Sequence, residues 1–580
     1  MTARRQWDRI AAGICGAIVA CAAGPAGAAA SAAAHTDGAG AAAASTPGAP
    51  AAPALPAPSA RESLPSFAAL EAAGATIGEI RISTREIFDT ADPREDNALF
   101  RLANRLHVRT RPDVIARALL FKSGERVDVQ VIEETERILR ASRYLYDVRI
   151  RPFAVHEGVV DIEVLTRDTW SLDPGLSVSR QGGADSSGVK LAEYNLLGTG
   201  VALSVGRSRN VDRSSSEFAL SNPRAFGSWT ALRLAHADSS DGSSNAVSVV
   251  RPFYRLDARW AAGVSASDDD AIDAVYARGS AVGQYRHRER RAEVFGGLSP
   301  GLVDGWVHRV SLGVSLREDR YAVAPGLTAP APLPADQHLV APFVRLERLE
   351  DRFERKLNRN LIGQPEYFSL GLSSTLQLGW ATPAFGSRQA GALYSLSVAR
   401  GFEYRPDASD QLLMTAAQLA GQRVGGRVER QRLGAQMQYY LRQSSHRLFY
   451  AAASADVLTR PALEDLLLLG GDNGLRGYPL RYQSGTRRVL LTVEQRFYTD
   501  LYVWRLFRIG GAAYLDAGRA WGGGDVQGDR PWLGNVGLGL RIVSMRSAFS
   551  NVLHLDVALP LRAPPDVRRV QFLVKTRTSF

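Results

Sequence analysis

The chain has 580 residues, of which 45% are hydrophobic and 22% charged, a balance that excludes both a disordered polymer and a polytopic helical membrane protein. Its formal net charge is +11, and only Lys122, Lys190, Lys356 and Lys575 of the 70 basic residues are lysines. Such a charge raises the question of nucleic acid, yet the arginines are spread among acids without a compact basic tract, so no nucleic-acid partner is expected; arginine instead suits fixed bidentate pairing with carboxylates and phosphates.

Arg4, Arg5 and Arg9 precede an apolar run from Ile10 to Ala23, followed by the small residues Ala26-Gly27-Ala28. Residues 1–28 are therefore expected to be a secretory signal peptide, since the run falls short of the ~20 apolar residues a spanning helix needs. Both cysteines, Cys15 and Cys21, lie inside it, so cleavage after Ala28 leaves no thiol. Ile18-Val19-Ala20-Cys21 also resembles a lipobox, which would instead place cleavage before Cys21 and leave a lipid anchor. Residues 29–75, rich in Ala and Pro, are expected to be a disordered linker because their first half has almost no large apolar side chain to bury.

Residues 76–168 change character. Thr76 to Phe88 reads as a strand and Asn97 to His107 as a short helix. Pro112 sits just inside the start of a second helix, where its missing N–H is harmless. After Asp128, the residues Val131, Ile132, Thr135, Ile138 and Leu139 recur at three-four spacing, the stripe of an amphipathic helix. Two strands follow, Tyr144 to Phe153 and Val159 to Thr166. This is a small α+β domain. The stretch FKSGE before the last helix, ILR at its end, and the exit Val164, Thr166, Asp168, Trp170 resemble a polypeptide-transport-associated domain. That resemblance implies a periplasmic module that captures client chains by adding a strand to an exposed sheet edge.

From residue 169 to 580 the period is two. Leu376, Leu378 and Trp380 alternate with Thr375, Gln377 and Gly379, and the run is extended back to Phe368, Leu370 and Leu372; Val310 and Leu312 alternate with Arg309 and Ser311. Runs of about ten residues with terminal aromatics suit strands tilted through a bilayer, apolar outside and polar inside. The expectation is an all-β transmembrane barrel of about 16 antiparallel strands, closed so that no edge is left unpaired. The polar stretches Ala237–Asn245 and Ser267–Asp270 are expected to be loops.

The segment Leu469-Gly470-Gly471-Asp472-Asn473-Gly474-Leu475-Arg476-Gly477-Tyr478 brackets one arginine with four glycines, which permit tight turns and close backbone approach. Period two then places Thr492, Glu494 and Arg496 on the lumen side of one strand, and Tyr514, Asp516 and Gly518 on the lumen side of another. An arginine folded into the lumen would meet two carboxylates. The order GLRGY, VEQRF, YLDAGRAW resembles the outer-membrane protein insertase and two-partner secretion transporter superfamily, also called bacterial surface antigens. The resemblance implies that Arg476, with Gly474, Leu475, Gly477 and Tyr478, is a loop-six motif docked in the lumen against Asp516, with Glu494 as second partner, whether as brace or as gate. Leu475 departs from the usual Val, and one upstream module replaces several. Phe572 and terminal Phe580 share a parity on the last strand and are expected to form a barrel-targeting signal.

An enzyme is not expected. Gly297-Leu298-Ser299-Pro300-Gly301 matches a nucleophile-elbow string, but Pro300 has no N–H for an oxyanion; His554 with Asp556 is the remaining pair of interest. No metal or other cofactor is expected. The anticipated role is insertion or translocation of polypeptides at the bacterial outer membrane, with the small domain in the periplasm. Expected partners are an unfolded or secreted polypeptide, outer-membrane lipid and lipopolysaccharide, and a periplasmic or inner-membrane accessory protein. The alternative is a structural or porin-like barrel handling lipid without protein transport.

Overall fold

The computed structural model describes residues 64–577 apart from 182, 364, 406–409, 505, 523–530 and 545–551. The signal peptide, most of the linker and Phe580 lie outside the described residues.

Regular structure is present before residue 76. A helix, Phe67–Ala72, is capped by Ser66, whose side chain accepts from the Ala69 amide, and Leu70 and Ala75 are buried in the core of the small domain. The end of the stretch expected to be linker thus belongs to that domain, because Phe67 and Leu70 supply the apolar side chains that residues 29–60 lack. The domain's sheet places Val159–Asp168 in the centre, parallel to Thr76–Arg85 and antiparallel to Leu145–His156. Val160, Ile162 and Val164 of the central strand are fully buried at alternate positions. They pack against Ile132 and Leu139 of the helix Val129–Arg140, which Asp128 caps through the Val131 amide. Each such side chain contributes about 1.5–3 kcal/mol by leaving water. The outer edge of Leu145–His156 carries no paired strand among the described residues.

Twenty antiparallel strands close into one barrel among the described residues, and the two-residue Leu302–Val303 is a stub paired only with Val307 and Trp306 in the connection between two of them. The expectation of about 16 is corrected upward. Many connections are far shorter than that arithmetic assumed: Arg278-Gly279 and Gly425-Gly426 turn in two residues, all four with positive φ, the conformation of a type I′ hairpin turn. The polar stretches expected to be loops are also mostly strand. Asp268 and Asp270 lie within Trp260–Ala277, opposite Arg290 and Arg288 of Ser280–Leu298, and Asp268 accepts from Arg288 at 2.8 and 2.6 Å. Cross-strand charge pairing lets the sheet continue through residues that resemble a loop in isolation.

The two faces separate as the alternation predicts. Val294, Leu312, Leu378, Trp380, Leu491 and Leu538 are exposed outside, while Arg309, Glu347, Arg496 and Arg541 are buried inside. Among the described residues no helix is long and apolar enough to cross a membrane, and the chain is an all-β transmembrane barrel preceded by a small α+β domain. One expected run breaks. Phe368 to Trp380 is not a single strand: Pro365–Ser369 pairs with Phe353–Leu357 in a separate hairpin, with Phe368 and Leu370 buried, and the wall resumes at Ser373–Ala381.

Closure is uneven. The last strand, Gln571–Arg577, pairs with Val552–Pro560 from Val552↔Arg577 to Ala558↔Gln571, but among the described residues it meets the first barrel strand, Leu172–Gln181, at one pair, Val574↔Arg180.

The small domain lies across one mouth of the barrel. Asp168 accepts from the Thr110 amide at 2.7 Å and its hydroxyl at 3.0 Å, and lies 2.8 Å from His107 Nε2. Asn195, between the barrel strands Ala184–Glu193 and Ala202–Arg209, donates to Thr110 Oγ1 at 2.9 Å, and Arg111 donates its amide to the Gly198 carbonyl. Glu134 accepts the Leu256 amide at 2.9 Å, and Leu506 packs with Phe88 and Phe100.

Candidate functional site

The connection between the strands Arg447–Thr459 and Arg487–Val503 turns back into the barrel from the end opposite the small domain. Its arms pair as Leu467–Leu469 against Gln483–Gly485. Leu469, Leu475 and Tyr478 are fully buried against Ala520, Leu533 and Val567. Two glycines show why the sequence permits this seat. Gly474 has φ +113°, and a Cβ on Gly477 would lie 2.6 Å from Asn535 Cβ, so only glycine lets the backbone approach the wall.

Arg476 then points at the wall. Its Nε and Nη2 donate to Asp516 at 2.8 and 2.7 Å, and its Nη1 donates to Glu494 at 3.0 Å. The guanidinium carbon stands 3.3 Å from the Tyr514 ring centroid, within cation–π range. Asp516 also accepts from Thr492 Oγ1 at 3.0 Å and Asn535 Nδ2 at 2.9 Å, and Asn535 in turn accepts the Gly477 amide at 3.1 Å. Glu494 receives Arg496 Nε at 2.9 Å. Two arginines and two carboxylates therefore balance in a buried cluster. The Tyr478 hydroxyl lies 3.0 Å from the Gly534 carbonyl and 2.9 Å from that of Arg562, fixing the next side chain of the motif.

The residues of the loop-six motif and its acidic partners, together the lock, are brought together: Arg476, Gly477, Tyr478, Gly474 and Leu475 on the loop, Asp516 and Glu494 on adjacent strands. Three contributors were not anticipated. Asn535 could have been found by extending the period-two pattern by one more strand. Arg481 donates to Asp212 at 2.8 and 2.5 Å and lies 4.2 Å from the Tyr276 ring; Glu464 accepts from Tyr285 and Tyr321 hydroxyls at 3.0 and 2.6 Å. These anchors tie the same loop to the other half of the barrel, and nothing local in sequence pairs position 481 with position 212.

Other sequence expectations find structural roles. Ser299 donates its hydroxyl to the His308 carbonyl and accepts the Gly301 amide. Asp556 is held by Arg541 at 2.7 Å and is 4.0 Å from His554 Nδ1, an ion pair with the wall rather than a histidine relay. Phe572 faces outward and is exposed; Phe580 lies outside the described residues. Among the described residues no group of three or more His, Cys, Asp or Glu could hold a metal ion.

No family model matches the chain, and no curated protein matches it. Among solved structures, it is similar to BamA from Haemophilus ducreyi lacking POTRA domains 1–3, at 14% identity over 86% of this chain and 85% of that one, with a TM-score of 0.39. It is also similar to CdiB from Escherichia coli, at 14% identity over 87% and 76% with a TM-score of 0.44, and to CdiB from Acinetobacter baumannii, at 13% over 87% and 73% with a TM-score of 0.42. Likeness of this degree does not carry function.

Proposed function

We propose that the chain mediates insertion or translocation of polypeptides at the bacterial outer membrane, as a member of the insertase and two-partner secretion superfamily that its motifs resemble. The observation that carries the reading is the seam. Among the described residues the first and last strands share one ladder pair, Val574 with Arg180, a thinner junction than any other in the wall, and a barrel that passes a chain through or into its own wall needs a place to part. The small domain is compatible with it: its outer strand, Leu145–His156, has no strand paired on its far edge among the described residues, and a client adding there would displace Asp147 and Glu136 from the Val148 and Ile150 amides. In this mechanism the domain, on the periplasmic side, captures the client, the first and last strands separate, and Arg476 holds the loop to set lumen geometry.

The decisive experiment is depletion followed by proteomics of the outer membrane and the secretome; unchanged content in both would remove the transport reading and leave a structural or lipid-handling barrel. A second experiment addresses the seam. Directly opposed antiparallel residues lie within disulfide reach, so Arg180→Cys with Val574→Cys should arrest activity when oxidised and release it on reduction. Full activity of the oxidised form would exclude the seam as the route.

A further inference from the structure

The hairpin Phe353–Leu357 and Pro365–Ser369 is not part of the wall, yet its tip and exit hold some of the most buried side chains in the chain, while Leu357 and Tyr367 stay exposed. Arg359 and Ile362 are 1% exposed and Leu370 is fully buried. The segment leaves the wall at Glu350 and rejoins it at Ser373, both at the end that the small domain covers. Between these points it folds into the lumen, packing on Leu412, Tyr440, Tyr450, Tyr498, Ala512 and Val552. These belong to strands running from Asp410 to Pro560, so the hairpin spans that arc of the barrel at its lower mouth.

The tip is built to hold. Glu366 accepts three consecutive amides, those of Arg359, Asn360 and Leu361, at 2.9, 2.9 and 3.1 Å. Its other ties are to the wall: Arg359 with Asp410, Lys356 with Glu403 and Asp410, and Tyr440 OH to Asn360 Oδ1 at 3.1 Å. The Arg359 carbonyl accepts from Arg496 Nη1 at 2.8 Å and from Tyr498 OH at 3.1 Å. Arg496, its guanidinium carbon 3.7 Å from the Tyr450 ring centroid, donates on its other side to Glu494, the carboxylate that Arg476 also uses. The base of the hairpin faces the small domain, where Gln130 Nε2 donates to Asp351 at 3.4 Å.

We propose that this hairpin is a second gate, closing the lumen from the side of the small domain in series with the loop that Arg476 closes from the other side, and that Arg496 is its latch. The inference rests on the transport reading for its purpose, since a gate is needed only where something passes. Two gates in series keep the membrane sealed while a client displaces one of them. They share Glu494, so each latch has a partner that survives loss of the other.

That shared carboxylate makes the test clean. Arg496→Ala leaves Glu494 paired with Arg476 and so leaves no buried acid uncompensated. The full-length protein is placed in planar bilayers and in liposomes with Ile362→Cys as the reporter, in a background with Cys15 and Cys21 replaced. Folding of each variant is verified by heat-modifiable mobility. In the parent the reporter should resist a membrane-impermeant maleimide, and Arg496→Ala should accelerate its labelling several-fold; Lys356→Ala with Arg359→Ala should do the same by a separate route. Conductance should stay near the parent level in Arg496→Ala and in Arg476→Ala, and rise several-fold in the double variant. A reporter that reacts equally fast in parent and variants would overturn the proposal, as would full conductance from Arg476→Ala alone. No client takes part in these measurements, so a failure of the depletion experiment would remove the transport reading and leave the gate, and a failure here would do the reverse.

Discussion

Two segments enter the lumen from opposite ends, residues 460–486 and residues 351–372, and they are held by different means. The first is seated by backbone: glycines allow it to approach the wall, and one arginine satisfies two carboxylates through three donors. The second is seated by many side chains, aromatic and ionic, contributed by strands spread from Asp410 to Pro560. A buried charge with a single set of partners fails at once when one is removed, whereas a distributed contact set yields by degrees.

The largest effect should therefore come from the first segment. Arg476→Ala leaves Asp516 and part of Glu494 without their cation in a dry site and should cost about 3–5 kcal/mol, read as a lowered unfolding temperature in detergent. Asp516→Ala should cost a similar amount, and the double variant much less than the sum, because both remove one interaction. Additive losses would mean that the two do not act as a pair.

Gly477→Ala sharpens the backbone side of the comparison. With its Cβ 2.6 Å from Asn535 Cβ, the loop must shift, and overpacking of this kind costs about 1–3 kcal/mol. The expected signature is a lower unfolding temperature together with faster proteolysis of residues 460–486. Asn535→Ala in the same chain should recover little of the loss, because it removes the acceptor of the Gly477 amide; full recovery would mean that the clash alone, and not the seat, is what matters. In the second segment, Lys356→Ala should cost less, about 1 kcal/mol, since Arg359 still serves Asp410 and Arg405 still serves Glu403. A loss as large as that of Arg476→Ala would erase the distinction between the segments.

The same contrast decides what was legible in the sequence. The lock could be found because its chemistry is compact: glycines within four positions of one arginine, then two acids whose lumenal parity follows from strand alternation alone. The hairpin was hidden because Phe368, Leu370 and Leu372 continue the alternation of Leu376 to Trp380. Period two states that one face is apolar but not whether that face meets lipid or lumen, and here the same pattern does both. The strand number failed for a related reason, since chain length divides into strands only when turn lengths are known. The small domain was read more fully, its helices and strands lying close to their expected positions, because its caps and its three-four stripe are local. What escaped was its opening helix, Phe67–Ala72, taken for linker, and its docking, where Asp168, Thr110 and Asn195 meet across long separations.

The smallest expected effect concerns that docking. Glu134 is buried where the helix Val129–Arg140 meets the turn at Leu256, and burial pushes its carboxyl above the ordinary range, against the opposing pull of the Leu256 amide and Arg137. A carboxyl raised in the docked form binds more protons there than when free, so its contribution is fully present below the ordinary value near 4.3 and is lost as pH climbs through the raised one. Docking should accordingly tighten as pH falls from 7 through the raised value towards the ordinary one near 4.3. Protease access to the small domain across that range measures it. Glu134→Gln keeps an acceptor for the Leu256 amide and removes the titration, so its profile should be flat, with Asp351 and Glu133 still near Arg137. A slope that survives the substitution would assign the pH response to another group and leave the small domain's hold on the barrel independent of Glu134.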